Sequence, residues 1–195
     1  SAEDKLPTKT FGNFLDHLSQ LTSSVSSIVV SRNHGLRAAR ALNSRNIPFV
    51  KDDGPMSDIY NHIFDTVDTP YLSIINPAVF VPPWWLETLM ACFERNKNKN
   101  PGLVSCSIEN EDEYLWSDVF GIDSLLRIEN SAMPLVERFG DNTPREVKTQ
   151  GSRMHLVLLK KEVYKKVRFD LKFKTMLVQD IDLCMQIRNV GYSCY

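Results

Sequence analysis

Two aspartates near the end of the chain, Asp180 and Asp182, are carboxylates of the type that can take a proton as a general base. A carboxylate acting as a general base must come within about 2.6–3.2 Å of the group it deprotonates. The two stand two positions apart in a stretch of helical pattern, so about 200° of rotation separates them and both cannot enter one site. Asp182 is therefore expected to cap or brace the helix. Asp180 has a competing structural role of its own, because aspartate is favoured at a helix N-cap.

The other reactive side chains are scattered. Cys92, Cys106, Cys184 and Cys194 form no CxxC pair and have no histidine at ligand spacing, so they read as buried free thiols rather than a zinc site. His17 and His62 fall on expected helices and His155 on an expected strand, none with a spaced ligand, which makes them structural. Trp84-Trp85 opens a helix after two prolines, where one ring is expected in the core and the other as a partly exposed brace.

Whatever chemistry these residues do, one domain must position it. A chain of 195 residues with 43% hydrophobic residues can bury a sizeable core. Lys plus Arg number 23 and Asp plus Glu 24, a balance that gives no field for a polyanion and disfavours nucleic acid as a partner. No apolar run approaches the roughly 20 residues of a membrane span, and the first ten residues, SAEDKLPTKT, lack the basic and apolar regions of a signal peptide. The expected location is cytoplasmic.

Strand and helix signals alternate along the chain. Phe11–Ser23 has helical spacing, Ser27–Ser31 is β-branched and short, Leu36–Ser44 is a helix former with one apolar face, and Ile47–Val50 is a strand. After Gly54-Pro55, Ser57 or Asp58 can cap a helix whose inner face is Ile59, Ile63, Phe64 and Val67, followed by the strand Tyr71–Ile75. Pro82-Pro83 starts a helix with Leu86, Leu89, Met90 and Phe93 inward, and Leu103–Ile108 is a strand. Glu109–Glu113 is an exposed acidic loop. Tyr114–Lys148 has little periodicity beyond a helix around Ser124–Glu129. Then come the strand His155–Leu159, the helix Lys160–Val167 and a last helix from about Asp180 to Val190, closed by Gly191. This order implies an α/β fold with a mainly parallel central sheet flanked by helices, ligands lying at the carboxyl ends of strands.

Two segments carry a resemblance. One is Gln179-Asp180-Ile181-Asp182-Leu183-Cys184-Met185-Gln186-Ile187-Arg188-Asn189-Val190-Gly191-Tyr192: an acidic pair, Asp-Leu, a basic helix and Gly-Tyr. The other joins the stretch from Gly54 to Asn61, GPMSDIYN, to that from Thr69 to Leu86, TPYLSIINPAVFVPPWWL. Together they resemble the family 2 glycosyltransferases, in which an asparagine-bearing helix precedes a central strand, a metal motif and a proline, tryptophan-leucine helix start. Leu6-Pro7-Thr8 is similar to the end of that family's first strand, Val29-Val30-Ser31 to the strand that ends in acidic residues, and Gly151–Phe173 to its acceptor-side stretch. The likeness spans nearly the whole chain and implies one GT-A, Rossmann-like domain over residues 1–195, with room for further domains of the same protein, since family members often continue past the Gly-Tyr motif.

The resemblance implies a hexosyltransferase-type reaction, in which a sugar moves from a nucleotide-diphosphate donor to a carbohydrate or glycan hydroxyl with inversion. By the same likeness Asp180 is the general base, Pro7, Thr8, Ser31, Asn61 and Asn76 line the nucleotide-sugar site, and Gly151 lies on the acceptor side, where Trp116 of the irregular segment is the ring expected to stack on the acceptor. Family members hold Mn2+ or Mg2+ on an Asp-x-Asp motif, which here reads Asn76-Pro77-Ala78. Alanine has no side-chain ligand and a neutral amide replaces a carboxylate poorly. Two substitutes stand open: Arg32, His34 or Lys51 neutralising phosphate directly, or Asp52-Asp53 lending a carboxylate. Beside the enzyme stands a second expectation, a catalytically inactive relative acting as a binding or assembly module, favoured by the loss of the Asp-x-Asp and of the acidic turn after the second strand, which here reads Ser31-Arg32-Asn33-His34-Gly35. A nucleotidyltransferase would need a glycine-rich basic loop early in the chain and a dehydrogenase a dinucleotide fingerprint; the sequence has neither.

Overall fold

The computed structural model describes residues 29–31, 43–44, 49–51, 54–76, 84–106, 108–109, 115–116, 119–122, 128–129 and 149–195. The expected helices over Phe11–Ser23 and most of Leu36–Ser44 lie outside them. Strands β1 (Val29–Ser31) and β2 (Phe49–Lys51) pair in parallel, as a helix-then-strand crossover requires.

Helix α1 (Met56–Thr66) leads into strand β3 (Tyr71–Ile75), and helix α2 (Trp85–Arg95) into strand β4 (Pro101–Ser105). Four short strands follow: β5 (Ile108–Glu109), β6 (Leu115–Trp116), β7 (Val119–Ile122) and β8 (Ile128–Glu129). Then come β9 (Gly151–Ser152), β10 (Leu156–Lys160), helices α3 (Lys161–Tyr164) and α4 (Met176–Asn189), and β11 (Ser193–Cys194).

The central sheet has the order β11-β4-β10-β3. It is mixed, not mainly parallel: β10 runs antiparallel to both β3 and β4, and only β11 pairs in parallel with β4. The apolar run of β10 signals burial on both faces, which a central strand has in either direction, so direction was not readable from it.

Alternation along β10 divides the core. Val157 and Leu159 join a cluster with Phe64 of α1, Val163 and Tyr164 of α3, and Leu183 and Ile187 of α4. Leu156 and Leu158 face the opposite way, onto Trp85, Leu89 and Phe93 of α2. Helices thus cover both faces of a sheet whose central strand is 0–5% exposed from Leu156 to Leu159. Among the described residues no helix is long and apolar enough to cross a membrane.

Several boundaries differ from expectation for local reasons. Helix α1 starts at Met56, with Pro55 as N-cap and its carbonyl accepting from the N–H groups of Asp58 and Ile59, so neither Ser57 nor Asp58 caps it. The fixed φ of proline sets the first turn two residues early. Residues 128–129, expected to end a helix, form β8 opposite β7. The tryptophan pair divides as expected, Trp85 being 5% and Trp84 64% exposed. Helix α4 begins four residues before Asp180, with Thr175 as N-cap. It ends where Gly191, at φ +90°, lets its own N–H reach Arg188 O and that of Tyr192 reach Ile187 O.

Candidate active site

Because α4 starts at Met176, Asp180 is inside the helix and cannot be its N-cap. Its side chain turns inward at the rim where β9 passes into β10. There the Met154 N–H donates to Asp180 Oδ2 at 3.4 Å, and Arg153 Nε lies 3.4 Å from the same oxygen. One helical turn on, Cys184 Sγ accepts from the Ser152 N–H at 3.3 Å. Positions i and i+4 of α4 therefore grip consecutive residues of one turn. Asp180 is 2% exposed, while the Arg153 side chain is 31% exposed, so the pair runs from the interior to solvent.

Tyr60 of α1 lies within reach of the Asp180 charge. Its phenol is pushed up from the usual 10.0 to about 12, first by burial and second by the negative charge of Asp180. The folded protein then holds this proton more tightly than the unfolded chain does. Stability from it is full below pH 10 and declines as pH rises towards 12. In Asp180→Asn the Tyr60 titration moves down but stays above 10.0, because burial, the larger cause, remains. Ultraviolet titration of tyrosinate against a Tyr60→Phe control reads this; an unmoved value would separate Tyr60 from Asp180.

The cysteines read as buried thiols are free, with Cys92, Cys184 and Cys194 buried and Cys106 half-buried. A hydrogen bond to Cys194 and, second, burial push the Cys184 thiol up, which is the behaviour of an inert core thiol.

The other expected site residues fall into three groups. Asn76 lies at the carboxyl end of β3, its N–H donating to His155 O at 2.7 Å, one residue from the Met154 amide that meets Asp180. The fold therefore gathers Asn76 and Asp180 about the turn 153–155. Gly151 is buried in β9 opposite Phe120, two residues before Arg153, with its N–H and C=O both engaged by Thr149 Oγ1. The Asn61 amide nitrogen donates to Phe169 O at 2.9 Å and its oxygen accepts from the Phe169 N–H at 2.8 Å. Both ends of the side chain bind backbone, so Asn61 fastens α1 to the segment after α3.

Ser31 ends β1 opposite Lys51, and Trp116 sits in β6 opposite Ile108 rather than in an irregular loop. Pro7, Thr8, Arg32, His34, Asp52, Asp53, Pro77 and Ala78 lie outside the described residues. Asp182 braces as expected: its Oδ2 accepts from Gln186 Nε2 at 2.6 Å, and Gln186 clasps both the N–H and the C=O of Arg168.

The sequence reading missed Arg153, Tyr60 and Gln179. Gln179 is 5% exposed and donates to Phe173 O at 2.7 Å and to Ser57 Oγ at 3.3 Å, tying α4 to α1. A lone arginine in a turn and a tyrosine on a helix flank give no local signal. At the expected metal position Asn76 offers one neutral amide oxygen and Ala78 none. That donor set does not fit a hard dication. No family model and no curated protein matches the chain.

Proposed function

We propose that the chain transfers a sugar from a nucleotide-diphosphate donor to a hydroxyl acceptor, with Asp180 taking the proton of the acceptor. The observation that carries this reading is that Asp180 is the only buried charged side chain among the described residues. A buried ion pair adds little to stability compared with apolar packing, and Asp180 does no capping here, so a buried carboxylate at the sheet rim supports a chemical role.

In this mechanism Arg153, reaching from solvent, is the movable partner. The acceptor hydroxyl takes the place of Arg153 Nε beside Oδ2, while the Met154 N–H keeps that oxygen aimed. The displaced guanidinium is then a cation able to meet the leaving phosphates by charge-assisted hydrogen bonds. No step runs through Mn2+ or Mg2+, because the donor set at Asn76-Pro77-Ala78 does not suit either.

A second reading, a module that binds without turnover, is favoured by the pairing of Asp180 with Arg153, which already engages the carboxylate. Calorimetric titration with nucleotide diphosphates and their sugars, with and without Mn2+, followed by a transfer assay, tests both. Donor binding of equal strength in both buffers, with transfer, is the expected outcome. Binding without transfer selects the module, binding only with Mn2+ overturns the cation-free step, and no binding removes the nucleotide-sugar reading.

A further inference from the structure

Between α3 and α4 the chain forms an exposed strap. Residues 171–176 are all exposed, and within 171–178 the apolar side chains of Leu171, Phe173, Met176 and Val178 are 36–48% accessible. Lys172 and Lys174 alternate with them, and the segment 171–178 holds no acidic residue. The positive excess extends upstream: residues 160–178 carry seven Lys or Arg against two Asp or Glu, in a chain whose net charge is −1.

Some of these charges are already matched. Lys161 pairs with Asp68 at 2.7 Å, Arg168 pairs with Asp65, and Lys165 donates to the Asp65 carbonyl. Lys172 and Lys174 have no ion pair or side-chain hydrogen bond among the described residues. The backbone beneath them is held, since Phe173 N–H donates to Asp170 O, Lys172 N–H to Asp170 Oδ1, and Gln179 Nε2 to Phe173 O. A fixed backbone thus presents apolar tips and unmatched ammonium groups together.

We propose that this strap docks on the surface of an anionic lipid bilayer. Apolar side chains held in water gain by entering the acyl boundary, and lysines between them reach back to phosphate and carboxylate headgroups. An acidic peptide would use a free strand edge or a groove, and residues 171–175 form no strand. A nucleic acid would meet the lysines but leave the four apolar side chains unexplained. The inference does not depend on the glycosyl-transfer reading.

The test is co-sedimentation of the full chain with phosphatidylcholine vesicles, with and without phosphatidylserine. Binding to the serine-containing vesicles that weakens with salt, and little binding to the others, is expected. Lys172→Glu with Lys174→Glu lowers the partition coefficient by about 30-fold or more. Both sites are exposed, so this variant keeps its circular dichroism spectrum and melting temperature. Leu171→Ser with Phe173→Ser lowers binding as well. Equal binding to both vesicle types, no binding to either, capture by RNA or an acidic polypeptide in place of vesicles, or an unchanged lysine variant would each overturn the proposal.

Discussion

Asp180→Asn lowers the rate of sugar transfer by about 10²–10⁴-fold, the effect of removing a positioned general base, while donor affinity stays as in the wild type. Asparagine keeps the shape of the side chain and an oxygen that can accept the Met154 N–H, so the turn 153–155 is retained. Arg153 loses its counter-charge. Breaking a fully buried pair costs about 3–5 kcal/mol, but the Arg153 side chain is 31% exposed and can rehydrate. The stability loss is therefore expected nearer about 1 kcal/mol, the scale of pairs in contact with water. Initial rates, donor calorimetry and a thermal melt on the same preparation separate these effects. Wild-type rates in the variant would remove Asp180 from the chemistry and leave the Asp180–Arg153 pair as a brace.

Phe64→Ala destabilises the fold by about 3–5 kcal/mol, the range for emptying a buried phenylalanine site. Phe64 is 0% exposed, and its ring centroid lies 5.9 Å from that of Tyr164 and 5.8 Å from that of Phe169. Its partners come from other segments of the chain and are fixed in turn, Tyr164 by a hydroxyl hydrogen bond to Thr69 O and Phe169 by both ends of Asn61. They cannot close the gap without breaking those bonds. Against a typical total of about 5–15 kcal/mol this leaves a marginal domain. Urea unfolding should show a lower midpoint at unchanged slope. A loss under about 1 kcal/mol would mean that α1 does not close this face of the sheet. Because α1 also carries Tyr60 and Ser57, loosening it should release Tyr60 from Asp180 as well.

Elements whose signals lie in adjacent residues were legible. Tyr71–Ile75 is the strand that was expected, the Trp84-Trp85 pair divides as read, and Gly191 ends the last helix because only a residue tolerating positive φ fits there. Each of these depends on a few contiguous side chains and their own backbone angles. The start of α4 was misread because the Asp-rich motif resembles an N-cap, whereas Thr175 at φ −110° and ψ 136° holds that position. The direction of β10 was not legible, since an apolar run reports burial and not orientation.

Asn61 shows the same limit at the site. Its place on α1 followed from periodicity, but its partner is 108 positions away, and no local pattern says that both ends of an amide will meet the Phe169 backbone. The helix over residues 56–66, the strand Tyr71–Ile75 and the strand at 156–160 were determined by the sequence alone, through periodicity and turn chemistry. What the Asp180 carboxylate touches was decided only by the tertiary structure. Met154 is 26 positions from Asp180, and Tyr60, which feels its charge, arrives on a separate helix. Those neighbours are set by how β10 inserts between β3 and β4 and how α1 and α4 pack on one face. Such long-range packing arises from the summed burial of many side chains, and no short stretch of sequence records it.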